Sequence, residues 1–433
     1  MALTARCALV ALLAALVLAV APGWSSVAVL DGGLALLVLA DLAVAAPVRR
    51  LRITRSGATS GRQGEPAEVH LTVRNGSARV GRLLVRDGWP PSAGSAPRVH
   101  RLLVPGRQQR QVTTVLTPWR RGDRRPGRLT VRSLGPLGLA GRQGRHVAPW
   151  CVRVLPPFTS RRYLPARLER LRQIEGLAAT RGPGAGTELE GLREYVPGDD
   201  SRRIDWRSSA RREVRTVGLA VRTYRPERDR TVLVAIDTGR TAAARVGDVP
   251  RLDSALDAAL LLTALAGRAG DRVRVLAYDA VLRAHVDGGG EGGLATVVQA
   301  MALLEPALVE PDHTLLVRTL LSTVRVRSLV VLLTDLNASA LEEGLLPVLG
   351  ALTSRHVVLL AAVSDPEVEA LARGRLDVDA VYDAAAAERA RTERRRISTE
   401  LRRRGVEVVD APADVLPAAL ADTYLALKAA GRL

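Results

Sequence analysis

Two acidic residues directly follow apolar runs in the C-terminal half of the chain. The run 231–236 leads into Asp237, and the run 328–334 leads into Asp335. Continuous apolar runs of this length are typical of parallel strands that are buried on both faces. Because ligands on such sheets bind beyond the carboxyl ends of the strands, both carboxylates are predicted to lie at that edge. A hydrolase could use such a pair as acid and base, but no nucleophile–base pair stands out in the sequence.

The sequence lacks the residues that several common kinds of functional site require. It has two cysteines and a single lysine, Lys428. A disulfide framework or a cysteine zinc site needs more cysteines, and a G-x-x-x-x-G-K-[ST] phosphate loop needs a lysine that is missing here. The six histidines are scattered and form no H-E-x-x-H motif. The sequence therefore indicates neither a P-loop ATPase nor a zinc peptidase.

The segment 185–212 reads AGTELEGLREYVPGDDSRRIDWRSSARR and is rich in paired charges. Its Pro-Gly-Asp-Asp element predicts a turn. One interpretation makes the segment an exposed surface that contacts a partner. The residues of that surface would be Arg193, Asp200, Arg203, Asp205 and Trp206. The other interpretation makes it an internal lattice of ion pairs around a buried tryptophan, which requires that each buried charge is paired.

Two apolar runs, 3–21 and 27–48, open the sequence. Each is near the ~20 residues that a helix needs to cross a bilayer, so residues 1–50 are predicted to form a transmembrane helical hairpin. Arg6 lies near the start of the first run, four arginines between 49 and 55 follow the second, and the turn between the runs is uncharged. The positive-inside rule then predicts that both ends lie in the cytoplasm, on the inner face of the plasma membrane.

The remainder divides into three parts by its sequence pattern. Residues 51–157 contain short alternating runs separated by Pro and Gly, which predicts an all-β sandwich. Residues 158–230 form a linker that includes the charged segment. In residues 231–433, apolar runs alternate with helix-period segments, which predicts a doubly wound α/β domain.

Positive charge is concentrated in the middle of the chain. Residues 48–230 hold 39 arginines against 15 acidic residues, whereas residues 231–433 hold 23 basic against 27 acidic residues. An arginine-rich codon usage would produce such an excess without a partner. A functional excess would face lipid headgroups or nucleic acid. Aromatic residues for base stacking are scarce and the chain has a membrane anchor, so lipid is the favoured partner and nucleic acid is disfavoured.

The segment 185–229 and the end of the chain, 423–433, resemble the bacterial domain of unknown function fifty-eight family. The element SLGPLGL at 133–139 is similar to that family's Pro-Phe-Gly-Leu element. Such proteins often accompany MoxR-type AAA+ ATPases and transglutaminase-like membrane proteins. The resemblance therefore implies a membrane-anchored, non-enzymatic adaptor or assembly factor that binds a MoxR-type ATPase.

The predicted α/β domain also resembles the von Willebrand factor A fold, which carries a metal site with a D-x-S-x-S loop. The resemblance implies Mg²⁺ as the ion and a ligand set that is incomplete, because Gly239 stands at the first serine position. The implied ligands are Asp237, Thr241, Thr314 and Asp335.

Overall fold

The protein divides into two compact units, residues 1–157 and 158–433. The computed structural model describes residues 2–20, 22–180, 188–196, 201–211, 219–225, 230–290, 292–374 and 377–433. The first unit combines apolar helices with largely antiparallel sheets, and the second is built of alternating strands and helices.

Two apolar helices, α1 (Ala5–Val20) and α2 (Trp24–Val44), begin the first unit. Both are apolar around most of their circumference and leave most leucines and valines exposed, which is the pattern of a lipid-facing helix. Within the described residues, Trp24–Arg50 is the one helical stretch long and apolar enough to cross a membrane by length and composition. At 16 residues, α1 is shorter than the ~20 expected for a full span.

Short strands make up the rest of the first unit. They are β1 (Ala2–Leu3), β2 (Leu51–Gly57), β3 (Ser60–Arg62), β4 (Ala67–Asn75), β5 (Gly81–Arg86), β6 (Ser95–Ala96), β7 (Val99–Val104), β8 (Gln109–Leu116), β9 (Gly122–Arg124), β10 (Leu129–Leu134), β11 (Ala140–His146) and β12 (Val152–Leu155). The larger sheets have the orders β1-β11-β10-β5-β7 and β2-β4-β8-β6, and a smaller sheet has the order β3-β12-β9.

The two larger sheets bury one face each against the other. Alternate residues point inward along β4, β5 and β10, as one-sided sheets require. Leu71 and Val73 of β4 belong to the same core cluster as Val85 of β5 and Val131 of β10. This packing is that of a β-sandwich.

One buried carboxylate fastens α2 to the sheet. Asp41, near the end of α2, is 1% exposed. Its Oδ1 accepts the backbone N–H of Leu137 at 2.8 Å, and its Oδ2 accepts those of Leu139 at 2.7 Å and Ala140 at 2.9 Å. Three convergent backbone N–H groups are a favourable setting for a carboxylate. The turn between β10 and β11 therefore binds the helix through a fixed charge-assisted contact.

The second unit begins with α3 (Leu164–Thr180), β13 (Glu188–Glu194), α4 (Trp206–Arg211) and β14 (Ala220–Arg225). β13 and β14 form a separate antiparallel pair. The other elements, in chain order, are β15 (Thr231–Asp237), α5 (Arg240–Ala243), β16 (Arg245–Val246), β17 (Val249–Pro250), α6 (Arg251–Arg268), β18 (Arg272–Tyr278), β19 (Leu282–Asp287), α7 (Gly293–Ala302), α8 (His313–Thr323), β20 (Leu329–Leu333), α9 (Ala338–Ala340), α10 (Leu346–Thr353), β21 (Val357–Ser364), α11 (Pro366–Leu371), α12 (Val378–Arg403), β22 (Val406–Pro412) and α13 (Leu416–Ala429).

A six-stranded sheet with the order β19-β18-β15-β20-β21-β22 forms the centre of this unit. β19 is antiparallel to its neighbour and the other strands are parallel. Every residue of β15 and β20 is buried, as expected for strands covered on both faces. The strand order reverses direction between β15 and β20, so the carboxyl ends of these two strands form the switch point of the sheet.

A buried polar cluster holds the last helix in place. The Nζ of Lys428 on α13 lies 2.9 and 3.1 Å from the two carboxylate oxygens of Asp271, which follows α6. The hydroxyl of Tyr424 donates to the same carboxylate. Burial and the Asp271 charge raise the pKa of Tyr424, so this hydroxyl stays protonated and keeps donating. The chain's single lysine thus serves the interior.

We expect Asp41→Ala to destabilise the protein, because three backbone N–H groups lose a charged acceptor. The free energy of unfolding should fall by roughly 2–4 kcal/mol, measured by urea titration of the detergent-solubilised protein with tryptophan fluorescence. Asp31→Ala is the matched control, since Asp31 lies on the same helix and is exposed. Equal stability of the two variants would contradict a fastening role for Asp41.

Candidate functional site

The switch point brings Asp237 and Thr334 together. Asp237 is the last residue of β15, and Thr334 follows β20, which pairs with β15 in parallel up to Ile236 and Leu333. The Thr334 hydroxyl donates to Asp237 Oδ2 at 2.7 Å. The two side chains therefore meet across the neighbouring strand ends, inside the domain.

The Asp237 carboxylate is buried and saturated by its own loop. It is 1% exposed and accepts the Gly239 N–H at 2.7 Å and the Thr241 hydroxyl at 3.3 Å. Burial raises the pKa of Asp237, and the hydrogen bonds from Gly239 and Thr334 oppose that rise. The loop 237–241 thus folds back and supplies the carboxylate with donors from within the protein.

Asp335 lies between two guanidinium groups. Its Oδ2 accepts Arg251 at 2.5 Å and its Oδ1 accepts Arg394 at 2.7 Å. Arg394 also forms a fork onto Asp410, with two contacts of 2.8 Å. Burial disfavours the charge on Arg394, but its bonds to Asp410 and Asp335 outweigh burial and raise its pKa. We call Arg251, Asp335, Arg394 and Asp410 the arginine–aspartate chain.

Two cavities adjoin this chain of charges. A small one of about 20 Å³ is lined by Asp237, Thr241, Arg251, Thr334 and Asp335 among others, and its size suits about one water molecule. A larger cleft of about 1090 Å³ lies beside Asp335 and runs along α11 and α12. Its walls carry both signs of charge.

Thr314 does not share the position of the other three implied ligands. It is the exposed second residue of α8, whereas its neighbour His313 is buried. His313 packs edge-on against Tyr278 at a ring-centroid distance of 6.0 Å. Its imidazole also interacts electrostatically with the Asp237 carboxylate. Burial lowers the pKa of His313, and the Asp237 carboxylate opposes this effect. The structure therefore brings together Asp237, Thr241 and Asp335 around the small cavity, with His313 nearby.

These residues do not fit a divalent cation. Mg²⁺ requires near-octahedral oxygen ligation, yet each Asp335 oxygen already accepts a guanidinium. The positive charge of Arg251 also faces the small cavity, where it would repel a metal ion. In the described part of the chain, no group of three or more His, Cys, Asp and Glu side chains is arranged to hold a metal.

A third acid at this edge was not singled out by the sequence analysis. Asp279 follows β18 and is 0% exposed. Burial works against its charge, but the Arg283 guanidinium at 2.6 Å and the Val281 N–H at 3.1 Å lower its pKa. The Thr238 hydroxyl also donates to it at 3.2 Å. The signal was present, because Asp279 follows an apolar run just as Asp237 and Asp335 do.

A loop, residues 303–312, lies over the same edge. The Ala307 N–H donates to the Thr238 carbonyl at 2.7 Å, and the Arg240 N–H donates to the Val309 carbonyl at 2.8 Å. Between these two attachment points, the Leu308 side chain is 80% exposed. The loop therefore holds a leucine outward on a fixed backbone.

The charged segment wraps onto the β13–β14 pair. The Asp205 N–H donates to the Ala220 carbonyl at 2.8 Å, and Ser209 bridges Asp205 and Ala220 through its hydroxyl. The Asp205 carboxylate accepts the Ser208 N–H at 3.0 Å and Arg222 at 2.9 Å, and these bonds lower its pKa. Asp205 is thus an internal anchor for α4.

Trp206 has the opposite character, since it begins α4 and is 65% exposed. Arg193 lies on β13, and Arg203 lies in a 3-10 turn, Ser201–Arg203. The structure describes the backbone of these two residues and not their side chains. Asp200 lies outside the described residues. Each interpretation of this segment therefore holds for one residue. Asp205 is paired internally, as the ion-pair interpretation predicts, and Trp206 is exposed, as the partner-surface interpretation predicts.

The second unit is similar to a known protein family. A family model described as "Protein of unknown function DUF58" matches residues 191–408. Uncharacterized proteins of Mycobacterium bovis and Mycobacterium tuberculosis are 28% identical over 187 residues, which is 42% of this chain and 57% of theirs. The chain thus spans just over half the length of these relatives.

One solved structure is similar to part of the chain. It is the crystal structure of the CARDB domain of a Pyrococcus furiosus protein, in complex with di-metal ions. The match covers 24% of this chain and 87% of that one, with 15% identity and a TM-score of 0.18, which is too low to carry an argument.

We expect Asp335→Ala to be strongly destabilising, because Arg251 and Arg394 would lose the carboxylate that they share. The free energy of unfolding should fall by roughly 3–5 kcal/mol in a chemical denaturation experiment. Glu342→Ala is the control, since the Glu342–Arg396 pair is solvent-exposed and should contribute less than about 1 kcal/mol. A small loss in both variants would argue that the arginine–aspartate chain is not structural.

The pH dependence of stability should report on His313. A lowered folded pKa means that the unfolded chain binds the proton more readily, so stability is greatest above about pH 6.5 and declines as the pH falls toward the folded value. The melting temperature should therefore drop between pH 7.5 and 5.5, and His313→Gln should reduce that drop. His285→Gln, at an exposed histidine on β19, is the control and should melt like the wild type. If the drop in melting temperature is the same in His313→Gln as in the wild type, His313 is not its source.

Proposed function

Because the chain belongs to the DUF58 family, which is described as being of unknown function, we propose a function from the geometry of its own residues. The protein is a membrane-anchored, non-enzymatic adaptor. Its second unit binds a partner protein, and its first unit holds that unit at the membrane.

The observation that carries this proposal is the exposed Trp206 on a fixed support. Tryptophan is enriched among the residues that dominate binding energy at protein interfaces. Here the indole is 65% exposed, and the Asp205 contacts with Ser208 and Arg222 fix the start of its helix. A rigid, exposed aromatic side chain loses little conformational entropy on binding.

The chemistry at the sheet edge supports an adaptor rather than an enzyme. Asp237 accepts three hydrogen bonds from its own domain, and Asp335 holds two arginines. A hydrolytic acid–base pair must instead exchange protons with a substrate or a water. Carboxylates committed in this way stabilise the edge, and we assign them no catalytic role.

The proposed partner is a MoxR-type AAA+ ATPase, which would supply the energy source that this chain lacks. The support is the resemblance of the sequence to chains that accompany such ATPases, and the absence of a phosphate-loop lysine from the sequence. The strand order of the second unit, with its antiparallel edge strand β19, supports the related proposal of a von Willebrand A-like domain. A transglutaminase-like membrane protein is the further proposed partner.

The proposed anchor is the pair α1 and α2. The sheets of the first unit and the whole second unit would lie on the cytoplasmic side. Arginines cluster where α2 leaves the proposed bilayer: Arg142 donates to the Leu42 carbonyl at 3.0 Å, and Arg79 donates to the Ala43 carbonyl. Cations at a helix C-terminus are favourable, and arginine at the cytoplasmic interface attracts anionic headgroups. This arrangement supports the proposed contact with the inner leaflet.

The test is direct binding between the detergent-solubilised full chain and the purified MoxR-type ATPase from the same genome. Trp206→Ala should weaken binding by about 30-fold or more, which corresponds to the loss of one central anchor. Trp119→Ala is the matched control, because Trp119 is similarly exposed, at 59%, but lies in the first unit.

A further variant locates the contact within the second unit. Leu308→Glu changes the loop 303–312 and should bind like the wild type if Trp206 is the anchor. Loss of binding in Leu308→Glu with retention in Trp206→Ala would move the contact to the loop and refute the anchor. A wild-type chain that does not bind the ATPase would refute the partner.

A further inference from the structure

We propose that Arg251 is a built-in cation that occupies the place of a divalent metal ion at the sheet edge, so that this site works without metal. The inference concerns the switch point of the sheet and is independent of the partner proposed above. It predicts that removal of the Arg251 charge unmasks a metal site in the same protein.

Position is the first argument. Arg251 is the first residue of α6, and its side chain is 19% exposed. It contacts Asp335 Oδ2 at 2.5 Å and lines the small cavity together with Asp237, Thr241 and Thr334. The guanidinium therefore lies on Asp335 at the wall of a cavity that the other oxygen-bearing side chains also line.

Charge balance is the second argument. Asp335 and Asp410 are paired with Arg251 and Arg394, so the arginine–aspartate chain is neutral. Loss of the Arg251 charge would leave two carboxylates on one arginine, beside the buried Asp237. An uncompensated buried charge is costly, and a divalent cation that enters the cavity would restore the balance.

Ligand chemistry is the third argument. Without the guanidinium, Asp335 Oδ2 becomes free and faces a cavity that Asp237 and the two threonine hydroxyls already line. Carboxylate and hydroxyl oxygens, completed by water, are the donors that Mg²⁺ and Mn²⁺ accept. Removal of the long side chain also enlarges a cavity that has room for about one water.

Mn²⁺ binding to the full-length, detergent-solubilised protein tests the proposal, with the free ion counted by electron paramagnetic resonance. Arg251→Ser should bind one Mn²⁺ per chain at least about tenfold more tightly than the wild type, and Asp237→Asn in the same background should remove that gain. Arg251→Lys keeps a positive charge at the site and should bind no better than the wild type.

Arg251→Gln provides the same test with less loss of side-chain volume, should Arg251→Ser fail to fold. It too should gain a site that depends on Asp237. The proposal is overturned if the wild type itself binds Mn²⁺ at a site that Asp237→Asn abolishes. It is equally overturned if folded Arg251→Ser or Arg251→Gln binds no more Mn²⁺ than the wild type.

Discussion

A carboxylate at the end of a fully buried strand must find its hydrogen-bond donors inside the protein, and the second unit is arranged around that requirement. β15 is buried along its whole length and ends in Asp237, which is 1% exposed, so bulk solvent does not reach the carboxylate. The loop that follows turns back to offer Gly239 and Thr241, and the neighbouring strand offers Thr334. The same requirement recurs at Asp335, where arginines supply the donors.

The first unit solves a similar problem with backbone groups. Asp41 is one of two acids in a largely apolar helix, and a lipid environment would penalise its charge. The turn between β10 and β11 removes that penalty by presenting three N–H groups to the carboxylate. Gly135 allows this close approach, since a Cβ there would meet the Asp41 side chain at 2.1 Å. The glycine-containing element 133–139 therefore binds the end of α2 through its backbone.

Sequence patterns predicted the strands better than the site. The apolar runs at 231–236 and 328–334 become β15 and β20, because burial on both faces leaves a continuous apolar signature. β19 has no such run, since most of its residues are exposed, so the apolar pattern does not indicate it. α12 begins at Val378, where Asp377 caps it through the Ala380 N–H.

The arginines of the site could not be predicted. Arg251 and Arg394 lie 84 and 59 residues from Asp335 along the chain, and nothing local separates them from the other arginines. Pairing at that distance is set by how α6 and α12 pack on the sheet. His313 was likewise hidden, because a single buried histidine leaves no periodic signal.

The burial of Lys428 has a practical consequence for anyone who handles this protein. Its ammonium is held by Asp271 and Tyr424, and the residue is 9% exposed. Reagents that target lysine, such as amine-reactive crosslinkers and dyes, would have no accessible lysine on the folded chain. Modification of Lys428 would therefore report opening of the α13 contact, and the many carboxylates and guanidinium groups are the handles for surface labelling.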